Sequence, residues 1–197
     1  LVSKLYKQTS FSRGDLEFYP IPKQKNKILF LTQLWNPSGT ESIYLKEERA
    51  TINRNRIKCI NALKKEFGKK FTGGLQHNSF TDSSSNSLMM PASLTNRANF
   101  LRAIKEHNIC IATTGLHNSI GSKFGEYIAA SRAIVTEPLH YDLPGNFEKG
   151  TNYLNFTDEQ ELIQGVYDLL DSEEKLRAMM RSNFNYYNNY IRSDVMV

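Results

Sequence analysis

A doubly wound α/β fold with a parallel sheet is predicted by three observations. Short apolar runs bounded by turn residues, such as Ile109-Cys110-Ile111-Ala112 and Ala133-Ile134-Val135, suit strands buried on both faces. Stretches of helical periodicity separate these runs and supply the crossovers that parallel strands require. The connecting loops are of ordinary length, and no internal repeat breaks the alternation. The chain has 197 residues, enough for one large domain or two small ones with a real core.

Residues 1–26 mix charges with Phe11, Phe18, Tyr19, Pro20 and Pro22 and hold no periodicity for long, so they read as a lead-in or linker to a domain spanning 27–197. The first strand falls at 27–35 and ends in the turn chemistry of Asn36-Pro37-Ser38-Gly39-Thr40. A basic helix follows over about 45–67, with Ile57, Ile60, Leu63 and Phe67 at helical spacing, and Gly68 closes it. Residues 71–75 read as a short strand and 78–86 as a polar surface loop. Thr95-Asn96-Arg97 opens a helix through Phe100, Leu101 and Ile104 that ends near His107. Next come a strand from Ile109, a glycine-bearing loop from Gly115 to Gly121, a helix through Ala130, and a strand from Ala133. A proline-bounded loop and a short strand at 153–156 lead to Thr157-Asp158-Glu159-Gln160, which has the spacing of a capping box. Leu162, Ile163, Val166, Leu169 and Leu170 form the buried stripe of that helix. The last helix restarts after Asp171 and carries Leu176, Met180, Phe184, Tyr187 and Ile191 on one side.

Composition narrows the function. No run of about 18 apolar residues suits a membrane span. Leu1-Val2-Ser3-Lys4 has neither an initiator methionine nor a signal-peptide pattern, so a fragment of a longer protein is expected. Cys59 and Cys110 fall in a helix and a core strand, which suits reduced thiols in an intracellular protein. His77, His107, His117 and His140 lack ligand spacing, so no metal is expected. Fifteen Lys and Arg face six Asp and Glu in residues 1–70, whereas the remainder has ten against fourteen. That basic front suits an anionic partner or, equally, a solvated lysine-rich helix face; with no nucleic-acid motif beside it, nucleic acid is not expected.

Ligand chemistry concentrates where the strand from Ile109 ends, because open α/β sheets bind at the carboxyl ends of their strands. Gly121 and Ser122 begin the next helix, so its first turn offers unpaired amides and a positive dipole end to an anion, with Lys123 adding a full charge. The same residues would serve as a plain helix cap. Glu126 lies one turn further in, where a carboxylate is favoured anyway but can also accept both hydroxyls of a ribose.

The run Gly121-Ser122-Lys123-Phe124-Gly125-Glu126-Tyr127-Ile128-Ala129-Ala130-Ser131-Arg132-Ala133-Ile134-Val135 resembles the signature of group 1 glycosyltransferases. So does the tail, in which Glu148-Lys149-Gly150-Thr151-Asn152-Tyr153-Leu154-Asn155-Phe156 precedes a helix and a tyrosine-rich final helix. The resemblance implies the carboxyl-terminal, Rossmann-like donor domain of a GT-B enzyme, with the loop from Gly115 and the helix start at Gly121, Ser122 and Lys123 on a diphosphate and Glu126 on the ribose. Many relatives carry a second glutamate eight positions before it; here Asn118 stands there, with an amide and no charge. Relatives also place an arginine and a lysine after the first strand, whereas the nearest cations here are Lys46 and Arg49. His117 is a further candidate for phosphate or sugar, and Leu139 and Tyr141 for walls around the base.

The resemblance therefore implies a donor domain that binds a nucleoside-diphosphate sugar without cofactor or metal. The sugar would pass to a saccharide or lipid-linked acceptor held by an absent domain that also carries the catalytic base. A role in polysaccharide biosynthesis, a cytoplasmic location, and a peripheral place at the inner membrane face for the whole protein go with it. Phe184, Tyr186, Tyr187 and Tyr190 are expected to be partly exposed and to favour a homodimer. Two rivals remain: a sugar-nucleotide epimerase of the same architecture, and a basic module binding nucleic acid.

Overall fold

The computed structural model describes residues 11–25, 27–78, 80 and 83–196. Five parallel strands, β1 (Ile28–Thr32), β2 (Phe71–Leu75), β3 (Ile109–Ala112), β4 (Ala133–Thr136) and β5 (Leu154–Asn155), form one sheet in the order β2-β1-β3-β4-β5. The chain winds outward from β1 to β2, then crosses back to β3 on the other side, so the direction of winding reverses between β1 and β3. Those two strands diverge there and leave a crevice at their carboxyl ends.

Seven α-helices lie among the described residues: α1 (Arg13–Leu16) before the sheet, α2 (Ile43–Phe67), α3 (Ala92–Thr95), α4 (Arg97–Glu106) and α5 (Ser122–Ala129) between strands, and α6 (Glu159–Leu170) and α7 (Glu173–Tyr186) after the last strand. Strand residues alternate between two cores. Ile28, Phe30, Ile109, Ile111, Ala133 and Val135 pack with Leu63 and Phe67 of α2 and with Leu162 and Val166 of α6. Leu29, Leu31, Cys110 and Ile134 face α4 and α5 instead. Covering both faces accounts for the apolar runs that marked these strands in the sequence. The α7 helix joins the layers, placing Leu176, Met179 and Met180 in the first core and Tyr186 in the second. Both cysteines are free and buried, and burial pushes the Cys59 thiol up to about 12.

The expected elements are present, with shifted ends. Ser42 caps α2 through a hydrogen bond from Leu45 N, two residues earlier than periodicity suggested. Gly68 ends it at φ +49°, a conformation that suits glycine. Gly73 lies so close to β1 that an added Cβ would collide with the Phe30 carbonyl oxygen. Asn96 caps α4 through Asn99 N. The capping box expected at Thr157–Gln160 is displaced by one residue: Asp158 is the cap and accepts from Glu161 N, while Glu161 Oε2 accepts from Thr157 N and Oγ. The longer glutamate reaches back four residues, which leaves Gln160 without that role. Of the loop expected over 78–86, positions 79, 81 and 82 lie outside the described residues, and Ser83–Leu88 form a 3-10 turn.

The lead-in segment crosses the amino-terminal edge of the sheet in close contact with the domain. Phe18 N donates to Ala129 O, Ser131 Oγ donates to Phe18 O, and the amide of Lys23 pairs with Asn108. Residues 1–10 lie outside the described part. The final helix also turns inward: Tyr186 and Tyr187 are buried, donating to Pro144 O and Glu17 Oε1, and Phe184 is half-buried. Of the four aromatics expected to be partly exposed, Tyr190 is exposed and Phe184 half-buried, whereas Phe147 and the lead-in segment cover Tyr186 and Tyr187.

Candidate functional site

A cavity of about 450 Å³ opens at the crevice between β1 and β3. Its floor is Phe30–Thr32 and Ile111–Ala112, its flank is Thr113, Thr114 and Gly115, and its lip is Gly121, Ser122 and Lys123. At this lip Phe124 N closes onto Gly121 O at 3.0 Å. The preceding amides, of Ser122 and Lys123, belong to the first turn and have no intrahelical acceptor, and the cap Gly121 brings no side chain to satisfy them.

Lys123 reaches back across the lip to the end of β1, donating from Nζ to Leu31 O at 2.7 Å, with the Phe100 ring 5.1 Å away. Burial pushes this amine down to about 8, helped by the Arg56 and Arg97 charges and opposed by Glu126. It is therefore a cation whose charge answers readily to an arriving anion.

A second cavity, of about 170 Å³, adjoins the first and shares Leu31, Gln76, Ser122 and Lys123 with it. Glu126 lines this smaller space with a side chain only 9% exposed. Its Oε1 accepts from Arg97 Nη1 at 2.5 Å, while Oε2 is buried with no hydrogen-bond partner among the described residues. Such an orphaned buried oxygen is costly unless a ligand or water meets it.

The expected residues are thus only partly gathered. Gly115, Gly121, Ser122 and Lys123 line the larger cavity, and Ser122, Lys123 and Glu126 line the smaller. Asn118 lines neither: it is exposed, and it follows His117 in a left-handed pair at φ 56° and 57°. Its loop is pinned by Glu48 Oε1, which accepts from His117 N, and by Tyr141, whose hydroxyl donates to His117 O. His117 and Tyr141 so act on the loop backbone rather than in the cavity, whereas Leu139 does line it. Lys46 and Arg49 lie outside the lining, and Arg49 donates to Asn36 O at 2.8 Å.

Beside Lys123, the crevice holds a further cation, Arg56, which sequence reasoning missed. It comes from the middle of α2 and is 7% exposed. Its guanidinium donates to Gln33 O at 2.6 Å, Thr114 O at 3.1 Å and Thr113 Oγ at 3.2 Å, tying the loops after β1 and β3 together. Burial pushes it down to about 10, against the Glu137 charge. Asn53, one turn earlier, exchanges two hydrogen bonds with the Trp35 backbone. A signal existed: Asn53 and Arg56 continue the buried stripe of Ile60, Leu63 and Phe67 backward at steps of three and four. Polar side chains on an apolar stripe mark where a helix leaves the core and reaches strand ends.

Among the described residues no group of three His, Cys, Asp or Glu side chains could hold a metal, and no helix is long and apolar enough to cross a membrane. No family model and no curated protein matches the sequence. Solved structures do match the fold. The carboxyl-terminal domain of the glycosyl transferase group 1 family protein LpcC from Francisella tularensis superposes with a TM-score of 0.62 at 7% identity, over 91% of this chain and 97% of that one. Anabaena Alr3699/HepE, solved in complex with UDP-glucose, superposes with a TM-score of 0.52 at 13% identity, over 84% of this chain. The chain spans 45% of HepE. A five-stranded parallel sheet flanked by helices, with its crevice between β1 and β3, thus gives this chain the Rossmann-like fold of the carboxyl-terminal domain of a group 1, GT-B glycosyltransferase.

Proposed function

We propose that this chain is the donor-binding domain of a glycosyltransferase that moves a sugar from a nucleoside-diphosphate sugar to a saccharide or lipid-linked acceptor, in polysaccharide assembly on the cytoplasmic side of the membrane. The observation that carries the reading is the pairing of two adjoining cavities, one edged by the first-turn amides of α5 and Lys123, the other walled by Glu126. A diphosphate suits the first, where amides and an amine meet its charge. A ribose suits the second, where its hydroxyls would satisfy the orphaned Glu126 oxygen. As the glycosidic bond breaks, negative charge grows on the leaving diphosphate, and Lys123 and the amides offset it in place. The acceptor and general base belong to a further domain, so this chain alone binds donor without turnover.

Calorimetry with UDP, GDP and ADP tests the reading. Wild type binds at least one at millimolar concentration or below, and Glu126→Ala weakens that binding by about 1.5–3 kcal/mol, the range for a hydrogen bond to a charged group. No binding by wild type, or equal binding by the variant, overturns it.

A further inference from the structure

The Glu126 carboxylate is held from outside its own helix. Arg97 is the first residue of α4, and its Nη1 meets Oε1 of Glu126 on α5 at 2.5 Å. It is the one hydrogen-bond donor to this carboxylate among the described residues, since Lys123 donates instead to the Leu31 carbonyl and Oε2 has no partner. Exposure is unequal, 42% for the arginine and 9% for the glutamate. The arginine therefore stands at the mouth of the smaller cavity with the carboxylate behind it. Phe11, from the lead-in segment, lies 5.5 Å from the guanidinium and backs its planar face.

We propose that Arg97 is a positioning residue: by holding Oε1 it fixes the rotation of the Glu126 carboxylate, so that a vicinal diol meets both oxygens together. The site's preference for ribonucleotides over 2′-deoxyribonucleotides then depends on Arg97. The proposal rests on Glu126 being the ribose acceptor. A carboxylate free to rotate satisfies one hydroxyl at a time, whereas a fixed one takes two at no further ordering cost. Oε1 has lone pairs enough to accept from Arg97 and from a ribose hydroxyl, so the ligand need not displace the arginine.

The test compares wild type, Arg97→Gln and Arg97→Lys by calorimetry. The probes are inorganic pyrophosphate, whichever of UDP, GDP and ADP binds wild type most tightly, and the 2′-deoxy form of that nucleotide; Tm is measured in parallel. Wild type is expected to prefer the ribonucleotide by about tenfold, roughly one hydrogen bond to a charged group. Arg97→Gln reduces that preference to within twofold while pyrophosphate affinity and Tm hold, and Arg97→Lys restores part of it. Retained preference in Arg97→Gln overturns the proposal. So does an equal loss for all three probes, which would assign Arg97 to the scaffold. If wild type binds no nucleotide, the donor-domain reading falls first; if it binds ribo and deoxy forms alike, only the present inference falls.

Discussion

Arg132 and Arg56 are both buried arginines that bridge segments of the sheet, one at each end. Arg132 is fully buried at the amino-terminal edge, donating to Ala130 O, His107 O and Tyr19 O, with the Phe18 ring 5.2 Å away. Arg56 makes the same kind of contacts at the carboxyl-terminal edge. Burial pushes each of them down to about 10. The difference lies in what covers them. The lead-in segment passes over Arg132 and supplies Tyr19 O, which closes that end. Among the described residues no such segment crosses Arg56, which borders the larger cavity. A parallel sheet leaves unpaired backbone groups at both ends. This molecule spends one arginine on sealing an edge and the other on holding two loops around an opening.

Replacing each arginine in turn would break or sharpen that contrast. Arg132→Met is expected to have the largest effect, a loss of about 3–5 kcal/mol of stability by urea denaturation, because three carbonyls lose a charged donor in the interior. Nucleotide affinity in its folded fraction should match wild type, and a weakened affinity would remove the distinction between the ends. Arg56→Met should lose less stability, about 1.5–3 kcal/mol, since its loops can reach water. It should also weaken nucleotide binding, because the loops after β1 and β3 lose their common tie.

Lys123 sharpens the comparison through pH. Its folded value near 8 lies below the ordinary 10.5. The unfolded chain therefore holds this proton more tightly, and the amine costs stability below pH 8, a cost relieved as pH rises from 8 to 10.5. Binding has the opposite sign. A diphosphate favours the charged amine, so binding takes up a proton above pH 8, and affinity falls by up to about tenfold per pH unit between 8 and 9.5. Titration calorimetry at pH 7.5, 8.5 and 9.5 checks this, and Lys123→Met should flatten the slope. The smallest effect is expected at Asn118, which lies outside both cavities: Asn118→Ala should cost up to about 1 kcal/mol through its left-handed backbone and leave nucleotide affinity unchanged.

By itself the sequence determined the fold and where along the chain a helix begins at the strand ends. Apolar runs over β1, β3 and β4 suit strands covered on both sides, and Gly121, Ser122 and Lys123 suit a helix start, as an anion site or as a plain cap. These are local signals, carried by neighbouring residues. Only the tertiary structure decided the rest, because each remaining feature joins residues far apart in the chain. Arg97 and Glu126 are 29 residues apart, and Arg56 and Thr114 are 58. Tyr187 is buried and bonded to Glu17, 170 residues away, where the resemblance implied a partly exposed aromatic side. Periodicity tells which face of a helix turns inward, but a polar side chain on that face takes its role from whichever strand end or helix it meets. Arg56 was visible on its stripe as an irregularity; that it holds the crevice together follows from the winding reversal that brings β1 and β3 side by side.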